Sequence, residues 1–181
     1  TITLSVPNGS FDYKTTSDYP YLYNRVTTTD TNSNYGLVNE VDAKDGKITL
    51  VNDYAVDAAA VEGHGSVFAI YNVDDARMGF YTTNPLYFKR GGYYKVTVSL
   101  NTDYIESGSA YLALGKSKDL SDNTIIPVGK DTENPGWKEH VFYVYANENT
   151  ADELYFHFGL GKDSDNKAKG YILVDDLKIE E

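Results

Sequence analysis

Apolar and polar residues alternate with a period of two in short runs spread along this chain, as they do in strands that bury one face. The clearest run is 92–101, where Tyr94, Val96, Val98 and Leu100 share one side and Tyr93, Lys95, Thr97 and Ser99 the other. It follows Arg90-Gly91-Gly92, a turn signal. Runs of the same kind occupy 1–6, 47–51, 66–72, 78–82, 109–115, 137–146, 153–161 and 170–179. The polar stretch from Tyr13 to Gly46 is too long for an ordinary connector, so it is either a functional loop or hides short strands such as 35–41. Loops are predicted at 115–136 and 161–170, and the one helical candidate is the Ala-rich Val56 to Glu62.

The closing segment breaks the rule once. Its apolar positions run Ile172, Val174, then Leu177 and Ile179, so the register slips at Asp175-Asp176. A slip of one residue calls for a β-bulge, and two acids at a bulge call for a partner. About nine strands with turn signals between them, and no long helix, predict an antiparallel β-sandwich or barrel.

At 181 residues the chain reads as a single domain, 1–181, with 41% apolar residues, enough for a full core. A start at Thr1 without a leader is the pattern expected of a module cut from a larger exported polypeptide. The formal charge of −11 comes with no basic stripe, which argues against nucleic acid and anionic membrane surfaces and fits glycans or bound cations. No apolar run approaches the ~20 residues of a membrane span. The absence of cysteine removes disulfides, thiolate chemistry and Cys-ligated zinc. Tyrosine is abundant, 17 residues against 7 Phe and 1 Trp, and serves both strands and ligand-touching surfaces.

Four segments carry a likeness to a known family. They are Asn8-Gly9-Ser10-Phe11-Asp12, Gly91-Gly92-Tyr93-Tyr94-Lys95-Val96-Thr97-Val98, Trp137 after Pro135-Gly136, and Val174-Asp175-Asp176-Leu177. In that order the chain resembles the galactose-binding-like jelly rolls that serve as carbohydrate-binding modules. Asp12 stands where the family favours Glu, and Tyr19, Tyr21 and Tyr23 stand where it favours Trp. The resemblance implies an all-β jelly-roll sandwich and a non-catalytic module that targets a secreted or surface bacterial parent to a glycan. It also implies a structural calcium ion between the first and last strand regions, with Asp12, Asp175 and Asp176 as the carried-over ligands. Those aspartates can equally bond backbone amides at the bulge or pair with Lys or Arg.

For sugar stacking, alternation directs Tyr111, Tyr155 and His157 outward, against inward Leu112, Leu114, Leu154, Phe156 and Phe158. Tyr93, Lys95 and Thr97 are outward as well, and Tyr21 and Tyr23 belong to the long polar stretch as a rim. Outward tyrosines also pair across strands without binding anything. Trp137 is expected in the core. His64, His140 and His157 show no His-Glu-x-x-His spacing, and no Gly-x-Ser-x-Gly or phosphate-cradling loop is present, so no enzyme is expected. Gly63-His64-Gly65 is a loop that offers a metal ligand or simply a turn histidine. The competing function is a structural spacer or adhesin domain that binds protein or nothing.

Overall fold

A computed structural model of the chain describes residues 3–4, 6–12, 22–26, 33–50, 54–121, 123–147 and 152–181. Its strands are β1 (Thr3–Leu4), β2 (Tyr23–Arg25), β3 (Ser33–Asn39), β4 (Lys47–Thr49), β5 (Ala55–Asp57), β6 (Ser66–Ala76) and β7 (Met78–Thr82). Then follow β8 (Leu86–Phe88), β9 (Tyr93–Asn101), β10 (Ile105–Ser107), β11 (Ala110–Gly115) and β12 (Asn123–Val128). The last three are β13 (Trp137–Tyr145), β14 (Asp152–Leu160) and β15 (Ala168–Glu180).

They form two antiparallel sheets packed face to face. The first runs β13-β9-β15-β6-β3, with β1 and β10 also on β15; the second runs β12-β11-β14-β7-β2, with β8 on β14. Between them lie the inward residues that alternation selects: Val96, Val98 and Leu100 of β9, Leu112 and Leu114 of β11, Phe156 and Phe158 of β14, and Ile172 and Val174 of β15. Phe11, Phe68, Phe80 and Phe158 pack edge to face at the centre, the geometry that ring quadrupoles favour. This is the antiparallel jelly-roll sandwich that the sequence predicts.

A third layer was not legible beforehand. Between the adjacent strands β3 and β6, residues 40–65 leave the sandwich as a 3-10 turn, the β4–β5 hairpin and a second 3-10 turn at Ala58–Val61. Ile48, Val56 and Val61 fold back over Val67, Ala69, Tyr71, Tyr171 and Leu173, so the outer face of β6 and β15 in the first sheet carries a second core. The Ala-rich stretch 56–62 is therefore strand and 3-10 turn rather than α-helix. Pairing of Val56 with Ile48 decides it over the intrinsic helix preference of alanine.

The predicted slip in the closing strand is present. The β15–β9 register shifts between Asp175 and Lys178, and Asp176 adopts φ 53°. Val174 and Leu177 both reach the main core across that shift.

Candidate functional site

The sheet faces decide where a ligand can touch this protein. Tyr21 lies outside the described residues. Tyr23 is not on a rim: it faces inward from β2 and stacks on Phe11 at 4.8 Å. Tyr111 does project from the outer face of the second sheet, as alternation requires, yet it is buried there. Its ring lies across Gly79 and Gly159, where any Cβ would collide with it, and Leu120 and Lys162 close around the same spot. His157 is also fully buried, with Nε2 2.9 Å from the Ser117 carbonyl of the loop that follows β11. That carbonyl can only accept, so Nε2 carries the proton and Nδ1 the lone pair. Burial pushes the His157 pKa down, with the Ser117 carbonyl and Asp119 opposing more weakly.

Residues 116–121 thus roof part of the second sheet, and alternation cannot foresee a roof. Tyr155 remains half-buried at its margin. It meets Tyr81 edge-on at 5.9 Å, and the Lys118 ammonium sits 5.9 Å from its ring centroid.

The open aromatic surface is on the other sheet. At the end of the ladder away from Trp137, β9 and β13 present Tyr93, Tyr143 and Tyr145, which are 71%, 82% and 49% exposed. Tyr93 and Tyr145 are register partners and stack at 4.6 Å, while Tyr143 stands opposite Lys95. Side chains two apart along a strand are about 7 Å apart, so the three rings form a short continuous strip. Tyr93 was singled out from the sequence. Tyr143 and Tyr145 were missed, although Phe142 and Val144 facing inward would have placed them.

Two cavities accompany these surfaces. One of about 360 Å³ is apolar, lined by Val6, Pro7, Leu22, Pro85, Tyr87 and Ile179 among others. The other, about 450 Å³, opens between β12 and β13 beside Asp131, Lys138 and His140. Lys138 and Asp131 pair there at 3.0 Å.

The first and last strand regions meet through backbone. Leu177 N–H donates to the Gly9 carbonyl at 2.9 Å. Asp12 is exposed and accepts from Ser10 Oγ at 2.9 Å. Asp175 and Asp176 instead have His64 beside them: one donor atom from each of the three lies within 4.8 Å of the others. His64 Nδ1 is 3.2 Å from Asp175 Oδ2, and Asp175 Oδ1 accepts from the Asp176 amide. Burial first, and then the Asp176 charge, push the Asp175 pKa up to about 6 against the opposing pull of His64. Among the described residues the carboxylate pair is joined by an imidazole and not by Asp12, whereas calcium takes oxygen ligands. Trp137 is half-buried at the excursion rather than in the main core. It stacks on His64 at 4.1 Å and donates its indole N–H to Ala60 O at 2.6 Å.

No protein-family model and no curated protein matches the chain by sequence. Among solved structures it is similar to the enzymatically active domain of tailspike protein 4 of bacteriophage CBA120, with a TM-score of 0.61 at 10% identity. That match covers 97% of this chain and 21% of the other, so the chain spans about a fifth of the tailspike domain. A cyclase from Fischerella sp. TAU, in complex with 4-(1H-indol-3-yl)butan-2-one, gives a TM-score of 0.63 at 13% identity over 99% of this chain and 97% of that one. The carbohydrate-binding module TmCBM61, in complex with β-1,4-galactotriose, gives 0.54 at 10% identity over 97% and 96%. The shared element is the β-sandwich fold, common to binding modules and enzymes. No helix among the described residues is long and apolar enough to cross a membrane.

Proposed function

We propose that this sandwich, whose fold carbohydrate-binding modules share, is itself a non-catalytic module that holds its parent protein on a glycan. The supporting observation is the open strip of Tyr93, Tyr143 and Tyr145. Exposed tyrosine faces stack on the apolar side of pyranose rings, and a contiguous exposed aromatic patch is a mark of recognition. Lys95 beside Tyr143, and Glu180 paired with Lys95 across β15, offer a donor and an acceptor to sugar hydroxyls. Tyr155 with Tyr81 is the subsidiary surface, since residues 116–121 restrict access to it. The reading assigns the chain no chemical step. It places the parent at a bacterial cell surface or outside the cell, with other domains of the same polypeptide as partners.

The spacer or adhesin reading is favoured by one fact, the burial of Tyr23, Tyr111 and His157 that alternation or loop position had offered as ligand contacts. A glycan array with the wild-type module, Tyr143→Ala/Tyr145→Ala and Tyr155→Ala separates the two. The glycan reading expects binding by wild type, loss in the double variant and a smaller loss in Tyr155→Ala. Binding to no glycan would leave the spacer reading standing.

A further inference from the structure

We propose that His64, Asp175 and Asp176 form a binding site for a borderline divalent transition metal of the zinc class, in place of the calcium clasp that the family resemblance implies. In a regular strand, consecutive side chains point to opposite faces. The bulge at φ 53° of Asp176 removes that alternation and brings both carboxylates to the same side, with donor atoms within 4.8 Å of His64. A bulge that re-aims a side chain is a built feature.

The imidazole is fixed before any ion arrives. His64 lies between Gly63 and Gly65, both in the left-handed region, and its ring is held flat against Trp137. The bond from Trp137 to Ala60 O anchors the indole in turn to the same excursion. A ring held in one orientation loses little further freedom when it binds an ion. Zinc–nitrogen and zinc–oxygen bonds of about 2.0–2.2 Å, opened to a tetrahedral angle, place two donor atoms about 3.4 Å apart. His64 Nδ1 and Asp175 Oδ2 are 3.2 Å apart. An imidazole nitrogen with two carboxylates suits zinc, cobalt or nickel and disfavours a hard, all-oxygen cation.

The charge balance supports the same assignment. Asp175 has a side chain only 4% exposed, beside a second carboxylate, and among the described residues neither acid pairs with Lys or Arg. A dication would offset the charge of the two adjacent carboxylates. Three protein donors leave a fourth position for water, reached through the exposed quarter of His64.

The test uses the full, untagged chain after chelator treatment. Isothermal titration and thermal melts are run with ZnCl2, CoCl2 and CaCl2 on wild type, His64→Gln and Asp176→Asn. The expected result is one saturable zinc site, a raised midpoint with zinc, tetrahedral cobalt absorption, and no midpoint shift with calcium. Both variants should lose at least about tenfold in zinc affinity, with folding checked by circular dichroism. The proposal is overturned by zinc affinity that His64→Gln leaves unchanged, by a midpoint that responds to calcium but not zinc, or by no binding of either ion. The last outcome would identify the trio as a plain His–Asp hydrogen bond.

Discussion

Gly9 and Leu177 touch backbone to backbone: the Leu177 amide donates to the Gly9 carbonyl at 2.9 Å, and a Cβ on Gly9 would overlap the Leu177 carbonyl oxygen. This contact holds the turn at residues 7–10 against the bulged end of β15. Phe11, which follows the turn, reaches the centre of the core. Gly9→Ala is expected to destabilise the protein by about 1–3 kcal/mol, because neither backbone can retreat without disturbing Phe11 or the bulge. Urea unfolding of the variant measures it; an unchanged midpoint would mean that the turn is free to shift.

Asn72 spans both sheets. Its amide nitrogen lies within 3.2 Å of Ala76 O, and at 3.0 Å from Leu160 O of β14 and Ala168 O of β15. All of this is buried, and carbonyls left without a donor cost about 1–3 kcal/mol each. Asn72→Ala should therefore lower stability by at least about 2 kcal/mol. Hydrogen exchange should quicken first at the ends of β6, β14 and β15.

His157 gives the protein an acid sensitivity of known sign. Its folded pKa lies below the ordinary imidazole value, so the neutral ring is the form that folding favours. That contribution is complete above about pH 6.5 and is lost as pH falls through the lowered folded value. Protonation would put a proton on Nδ1, which is buried without a partner among the described residues. Asp119 of the roof and Tyr81 of β7 are titratable groups beside it. Asp175 works in the opposite direction, since its raised pKa adds stability on acidification below about 6. Thermal midpoints of wild type and His157→Gln between pH 4 and 8 are therefore compared as differences. The gap should narrow on the acid side; a constant gap would refute the assignment.

The Tyr93–Tyr145 stack should matter far more to binding than to folding. Exposed cross-strand pairs contribute roughly 0.2–1 kcal/mol, so Tyr145→Ala should cost the fold no more than about 1 kcal/mol. A double-mutant cycle with Tyr93→Ala measures the coupling directly. A larger stability loss would assign the strip to the scaffold instead of a ligand.

Alternation made the core of the sandwich legible. Val96, Val98 and Leu100, and again Phe156 and Phe158, point where a period of two says they must. It assigns a side chain to a face, however, and says nothing of what lies on that face. Tyr111 and His157 were rightly directed outward and are nonetheless buried, one over glycines in β7 and β14 and the other under Ser117. β12 was hidden inside an expected loop because an edge strand carrying Pro127, with Thr124, Ile126 and Pro127 exposed, has little apolar pattern to show. The bulge was readable because it interrupts a strong pattern. Its partner His64 was not, since it stands 111 residues away in sequence.

The excursion of residues 40–65 begins and ends at Asn39 and Ser66, which are register partners joined by a 3.1 Å side-chain hydrogen bond. A tight hairpin there would connect β3 to β6 equally well, so the sandwich does not need the excursion for its topology. Shortening it to such a hairpin would expose Val67, Ala69, Tyr71, Tyr171 and Leu173 together, an oily plate in the middle of a sheet. The segment is thus a built-in cover over an apolar patch of the kind that invites association when it is left open.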